Sequence, residues 1–329
     1  MTMNTRVLKP LVGCRALRIA VAIMLMSSLL AGIPSSPFAA EAKETRFQSA
    51  DEAANALVQA ARAHDAAALV RVLGPGSQRI VSSGDPVSDR QARELFVHVY
   101  DEASRLESVK EGEVVLHLGK DDWPFPVPVV KDAKGWRFDV GRGRAEILRR
   151  RIGRNELETI QVCLAYVDAQ QEYATQDRNG DGVMQYAQKF ASAPGKRDGL
   201  FWETKAGEAP SPLGPLAAKA RGDGYQPGKS QAPVPFHGYL YRIIKAQGSH
   251  ASGGAFSYVA KGRMIGGFAL VAYPAEYGTS GVMTFIVNQD GVVHQRDLGP
   301  NTAAVARRMT AFDPDSEWEP LLTTVAGGG

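Results

Sequence analysis

Residues 267–295 constrain the fold most. Gly267-Phe268-Ala269-Leu270-Val271-Ala272-Tyr273-Pro274 is a strong strand signal. Val282–Val287 pairs with Val292–Gln295 across Asn288-Gln289-Asp290-Gly291, which reads as a hairpin turn. Gly238–Ile244 is a strand and Phe256–Val259 another. Upstream, Asn155 with Glu158 three positions on reads as the cap of a long helix. Leu157, Ile160, Leu164 and Val167 recur at i, i+3, i+7 and i+10, one apolar stripe opposite Gln170, Gln171, Glu172 and Gln176. A long helix followed by antiparallel strands is an α+β arrangement. Residues 191–236, rich in Gly and Pro (PGKRDG, APSPLGPL, RGDGYQPG), read as a long irregular insert.

The preceding residues carry a smaller α+β pattern. Ser49 and Glu52 form a capping box for a helix to about Arg62, with Ala53, Ala56, Leu57, Ala60 and Ala61 on one face. A second helix starts at Asp65, carries Leu69, Val70 and Leu73, and stops at Gly74-Pro75-Gly76. A turn at 83–86 precedes a third helix over 88–104, whose apolar face is Leu95, Phe96, Val99 and Tyr100. Strands follow at 113–118, 125–130 and 136–140, the middle one kept irregular by Pro124, Pro126 and Pro128. Helices before a curved antiparallel sheet resemble the cystatin-like, nuclear-transport-factor-like (NTF2-like) scaffold. The boundaries are 46–143 for this domain and 144–320 for the next. Arg144–Ile152 reads as a short basic helix with a solvated face, and Gly153 breaks or kinks it.

Residues 1–42 read as a secretory signal peptide. Four basic residues precede the uncharged run Ile19–Ile33, and Ala40-Glu41-Ala42 is an A-x-A-like cleavage site. The run is short for a spanning helix, and no later stretch is long and apolar enough to span. Four of the 38 basic residues and one of the 35 acidic ones lie in this segment, which leaves 34 against 34. A neutral body gives no electrostatic case for nucleic acid. Cys14 leaves with the signal, so Cys163 remains alone and reads as a buried structural thiol.

The stretches GKDDWPFPVPVV, RRIGRNELETIQVCLAYVDAQQEYA, PGKRDGLFW, SPLGPL and MIGGFALVAYPAEYGTSGVMTFIVNQDGVV carry a resemblance over residues 46–318. They resemble the DUF2950 family of exported bacterial proteins, which has no assigned activity. The second half is also similar to the globular heads of type IV pilins and pseudopilins: a helix ending EYA, the GYLYRI strand, then the TFIVNQDGVV hairpin. Their N-terminal membrane helix with its prepilin cleavage signal is missing. The resemblance therefore implies a pilin-like fold, not assembly into a pilus.

One motif carries chemistry. Asp177-Arg178-Asn179-Gly180-Asp181-Gly182 matches the start of an EF-hand-type calcium loop. Asp177, Asn179 and Asp181 would turn oxygens inward, the Val183 carbonyl would sit at position seven, and Gln185 at nine. Position twelve is Gln188 instead of a bidentate Glu, which lowers the expected affinity. The same residues also make a plain Asx-rich turn. A helix starting at Tyr186–Phe190 would complete the motif. The six histidines form no H-E-x-x-H pair, and no G-x-S-x-G elbow occurs. Gly228-Lys229-Ser230 ends like a phosphate loop, but Asp223 stands where its first Gly belongs. Asp121-Asp122 reads as a hairpin turn.

Two loop clusters are expected contact surfaces for a peptide or sugar: Asp122, Trp123 and Phe125, and Lys196, Arg197, Asp198, Phe201 and Trp202. The alternative packs both tryptophans onto the core. The expectation is an exported, periplasmic or secreted, two-domain protein. Its expected role is non-enzymatic binding or assembly support at the envelope, with calcium as a brace and an envelope protein or polymer as partner. The alternative is a hydrolase acting on envelope polymer through carboxylates.

Overall fold

The computed structural model describes residues 45–226 and 233–321. Residues 1–42, where a signal peptide is expected, and the Gly228-Lys229-Ser230 stretch lie outside the described residues. The described residues fall in one compact unit. Within it, both helices and antiparallel sheets are present, so the α+β class holds.

The first part has four helices and a sheet. Helix α1 (Ala50–Arg62) starts where expected: Ser49 Oγ accepts from Glu52 N at 3.1 Å, and Glu52 reaches back to Gln48 N at 2.6 Å. Helix α2 (Ala66–Leu73) is capped by Asp65 and ends at Gly74, whose φ of 87° a side chain would resist. Short α3 (Gln78–Val81) leads to α4 (Pro86–Glu102). The sheet is antiparallel, in the order β1 (Ser104–Lys110), β2 (Glu113–Leu118), β4 (Val129–Asp132), β5 (Gly135–Phe138), with β3 (Trp123–Pro124) also pairing on β2. Phe47, Leu57, Leu69, Val127, Val129 and Phe138 close one core between these layers. Strand β1 was not legible: SRLESVK is exposed at all but one position and has no apolar alternation.

Helix α5 (Val140–Tyr173) overturns the expected break. It runs unbroken for 34 residues, about 50 Å, through the 143/144 boundary. Gly153 sits inside it with nothing within 4 Å of where a Cβ would be. Asn155 is no cap: it is buried, and Nδ2 donates to the Ser280 carbonyl at 2.8 Å. Its neighbours on the same face, Arg151 and Thr159, are buried too. Arg151 donates to the carbonyls of Arg79 (2.6 Å) and Ile80. The apolar stripe is also displaced. Leu157 is 67% exposed, while Val162, Cys163, Tyr166, Val167 and Tyr173 form the buried face. Gln170, expected on the polar side, is fully buried and clamps Ala187 through both its N–H and its carbonyl, each at 2.8 Å.

Beyond α5 the chain has further departures. No helix starts at Tyr186; this segment makes bridges to Met264 and, at Ala191, to Phe201. The insert contains α6 (Gly214–Gly222), opened by the SPLGPL stretch. The second sheet has the order β14 (Glu319–Pro320), β13 (His294–Asp297), β12 (Met283–Asn288), β11 (Ala269–Pro274), β6 (Tyr239–Ile244), antiparallel throughout. Two small ribbons, β7 (Ala246–Gln247) with β8 (Phe256–Ser257) and β9 (Val259–Ala260) with β10 (Arg263–Met264), lie beside it in sequence. Every residue of β11 is buried, and α5 and α7 (Thr302–Arg308) both pack on that strand. Cys163 is fully buried, and burial pushes its thiol up to about 12, as suits an inert core thiol. Among the described residues no helix is long and apolar enough to cross a membrane.

Asp85 ties the two cores together. Its Oδ1 accepts from Val87 N and Ser88 N at 3.1 Å, capping α4. Its Oδ2 accepts from the Tyr225 hydroxyl (2.8 Å) and Gly238 N (2.9 Å), both from beyond α5. Asp85→Ala would orphan these donors at a site 1% exposed. It is expected to lower stability in urea unfolding by about 3 kcal/mol, against about 1 kcal/mol for Tyr225→Phe. A loss below about 0.5 kcal/mol for Asp85→Ala, the size of an ordinary surface change, would contradict this role.

Candidate functional site

Residues 191–208 fold into a groove of about 490 Å³. The Ala191–Phe201 bridge brings its two walls together, with Ser192 N donating to Phe201 O and Phe201 N to Phe190 O, both at 2.8 Å. Gly199 is required there, because a Cβ would lie 2.6 Å from the Ala191 carbonyl carbon. The structure brings Lys196, Arg197, Phe201 and Trp202 into this groove, with Glu203 and Glu208 at its rim. The Trp202 ring carries Arg197 at 5.5 Å and Arg178 at 5.6 Å, and Arg221 lies 5.2 Å from the Phe201 ring. Both aromatics are half-buried against the second core. Asp198 does not line the groove. It pairs with Lys189 at 2.6 Å and accepts from Ala193 N at 2.8 Å, contacts that hold its carboxyl below the usual range. Asp198 shapes the loop that presents Lys196 and Arg197.

The other expected cluster is divided. Trp123 is half-buried with Arg150 at 4.9 Å from its ring. Phe125 turns inward and packs on Phe96 at 5.6 Å between ring centres. Asp122, in a left-handed turn (φ 54°), pairs with Arg105, which lowers its carboxyl, and faces His117.

The 177–185 loop is a hydrogen-bonded cluster built around the Asp177 carboxylate. Asp177 accepts from the backbone N–H groups of Gly180 (2.8 Å), Asp181 (3.2 Å) and Gly182 (2.8 Å). With its amide nitrogen facing the carboxylates, Asn179 donates to Asp177 (2.9 Å) and Asp181 (3.3 Å) and accepts from Gln185 at 2.9 Å. Arg263 pairs with Asp181 at 2.9 Å. Burial raises the Asp181 carboxyl, but Arg263, Val183 N and Gln185 outweigh it and the net shift is downward. Gln188 is not brought to the loop: it donates to Gly262 O at 2.8 Å and accepts from Lys245 at 3.0 Å. Two carboxylates, one already paired with a guanidinium, are a weak donor set for a cation that takes six to eight oxygens. No group of three or more His, Cys, Asp or Glu among the described residues is placed to hold a metal. Arg178, inside the motif, lies over Trp202 and so joins this loop to the groove.

A polar cleft of about 330 Å³, lined by Ser88, Arg154, Asn155, Glu158, Lys219 and His237 among others, was missed in the sequence. His237 sits in left-handed backbone (φ 51°), its ring tilted against that of Phe236 with centres 4.1 Å apart. Its Nε2 is buried without a hydrogen-bond partner, 3.8 Å from Glu158. Lys219 pairs with the same Glu158 oxygen at 3.2 Å. The His237 N–H donates to the Tyr225 hydroxyl, which donates to Asp85. No local motif marks this histidine; the Glu158 carboxylate that faces its ring lies 79 positions earlier, in α5.

The DUF2950 family, described as "Protein of unknown function", matches residues 44–321, and the chain belongs to it. No curated protein and no solved structure matches the chain.

Burial lowers the His237 pKa, so the fold favours the neutral ring. The sign follows: this contribution to stability is complete above the unfolded value near 6.5 and is lost as pH falls below it. His237→Asn keeps a residue that tolerates the left-handed backbone. It is expected to flatten the acid-side loss of stability between pH 7.5 and 5.5, by at most about 1.4 kcal/mol per pH unit. Identical pH slopes for the two proteins would contradict a buried neutral His237.

Proposed function

We propose that this DUF2950 chain is an exported, periplasmic or secreted protein that binds an envelope protein or polymer without transforming it. The carrying observation is the groove at 191–208. Two aromatic rings there lie beside exposed cations and carboxylate acceptors. Rings stack on sugars or apolar peptide side chains, while Lys196 and Arg197 favour carboxylates. A polymer of sugars and short acidic peptides fits that chemistry. The export reading rests on the sequence pattern of residues 1–42 alone.

The finer fold readings support this role as scaffolds. The cystatin-like reading rests on helices packed against the first antiparallel sheet, and the pilin-like reading on α5 laid against β11 and β12. Calcium enters as a brace at Asp177, Asn179 and Asp181 with the Val183 carbonyl and Gln185. Binding there has to displace Arg263, and its affinity belongs in the range of about 10⁻⁴–10⁻³ M. The alternative, hydrolysis, is favoured by one observation, the orphaned His237 beside Glu158.

Co-sedimentation of the purified mature protein with insoluble peptidoglycan tests the reading. Trp202→Ala is expected to weaken retention about tenfold with an unchanged circular dichroism spectrum. Equal retention of both proteins, or no retention of either, would contradict it. Release of soluble fragments that His237→Asn abolishes would favour hydrolysis instead. Calorimetric calcium titration is expected to show millimolar binding that Asp177→Ala with Asp181→Ala removes; no heat at several millimolar (about 5 mM) would exclude the brace.

A further inference from the structure

We infer that the partly open pocket lined by α1, α2, α3, α4 and α5 binds a small carboxylic acid with an aryl or short alkyl body. The cavity measures about 170 Å³, and its walls include Leu57, Leu69, Leu73, Phe96, Phe125 and Ile147. A closed, wholly apolar cavity of about 150 Å³ is large enough to hold a benzene ring. The volume therefore suits a phenyl group or a chain of about six carbons, and excludes a full lipid tail.

Three charged side chains also line it: Asp89, Arg93 and Arg151. Two are accounted for. Asp89 accepts from Ser83 N with both oxygens, at 3.1 and 3.0 Å. Arg151 is held by the carbonyls of Arg79 and Ile80. Arg93 differs. Its Nε is buried and has no hydrogen-bond partner. Buried guanidinium nitrogens are ordinarily satisfied, because an unpaired one loses its water for nothing. One acid and two guanidiniums leave the cavity one positive charge in excess. An anion is the complementary occupant, and the apolar walls require that the rest of it be hydrocarbon. A carboxylate suits a guanidinium by charge and shape. Arg93 is half-buried, which places the charged end at the mouth and the hydrocarbon inside.

The test is titration of 3-phenylpropanoate into the mature protein, followed by calorimetry and melting temperature. Saturable binding is expected, about tenfold tighter than 3-phenylpropanol or acetate, with a melting rise. Arg93→Gln is expected to weaken it about tenfold while the unliganded melt is kept. Ala61→Leu, which narrows the cavity, should block it, and Trp202→Ala should leave it intact. Equal binding of acid and alcohol, unchanged affinity in Arg93→Gln, loss in Trp202→Ala, or no binding at millimolar ligand would overturn the inference. The Trp202 variant separates this site from the groove, so either can fail alone.

Discussion

One helix serves two hydrophobic cores, and the remaining architecture follows from how its middle is satisfied. The first turns of α5 pack into the first core beside the 126–127 segment; Gly143 allows this, since a Cβ there would lie 2.4 Å from the Pro126 carbonyl oxygen. Its last three turns supply Cys163, Tyr166, Val167 and Tyr173 to the second core. Between them Arg151, Asn155 and Thr159 follow at i, i+4 and i+8 and are all buried. Buried donors need acceptors, so loops from both sides must close on this stripe. The end of α3 supplies two carbonyls to Arg151, and the 278–281 turn supplies one to Asn155. Glu156 adds the converse, accepting from Val282 N and Met283 N at 3.0 Å.

The surfaces with chemistry are consequences of that spine. The polar cleft at His237 opens where the helix face is polar, and Asp85 fixes the histidine backbone through Tyr225 and Gly238. The groove at Trp202 hangs from the other end. The Tyr173 hydroxyl donates to the Arg197 carbonyl at 2.7 Å, and Gln170 clamps Ala187. Loop 174–202 is thereby stapled to the helix at its middle, Ala187, and near its far end, Arg197. Arg178, hydrogen-bonded back to the Tyr173 carbonyl at 3.4 Å, is held over the tryptophan.

Where local chemistry decides, the sequence was a sufficient guide. The caps at Ser49 and Asp65, the stop at Gly74, the apolar run of β11 and the turn before β13 all lie where the residues place them. Where a buried residue is polar and its partner is far along the chain, periodicity misled. Asn155 reads as a cap because Asn caps helices; its acceptor is 125 residues away. Gly153 reads as a break because glycine weakens helices, yet contacts on both sides hold the helix through it. Leu157 completes a stripe on paper and faces solvent in the fold. Lys196, Arg197 and Trp202 were legible as one surface because they are close in sequence. His237 was not, since its importance lies in the absence of a partner for one buried nitrogen.

The central claim is that α5 couples the two cores into one cooperative unit. Trp136 reports on the first core and Trp318 on the second. Urea unfolding of two variants, each retaining one of these tryptophans with the other three replaced by Phe, measures the coupling directly. The account predicts coincident fluorescence midpoints and slopes, matching the circular dichroism transition. Two separated midpoints, with one core lost while the other remains folded, would contradict it.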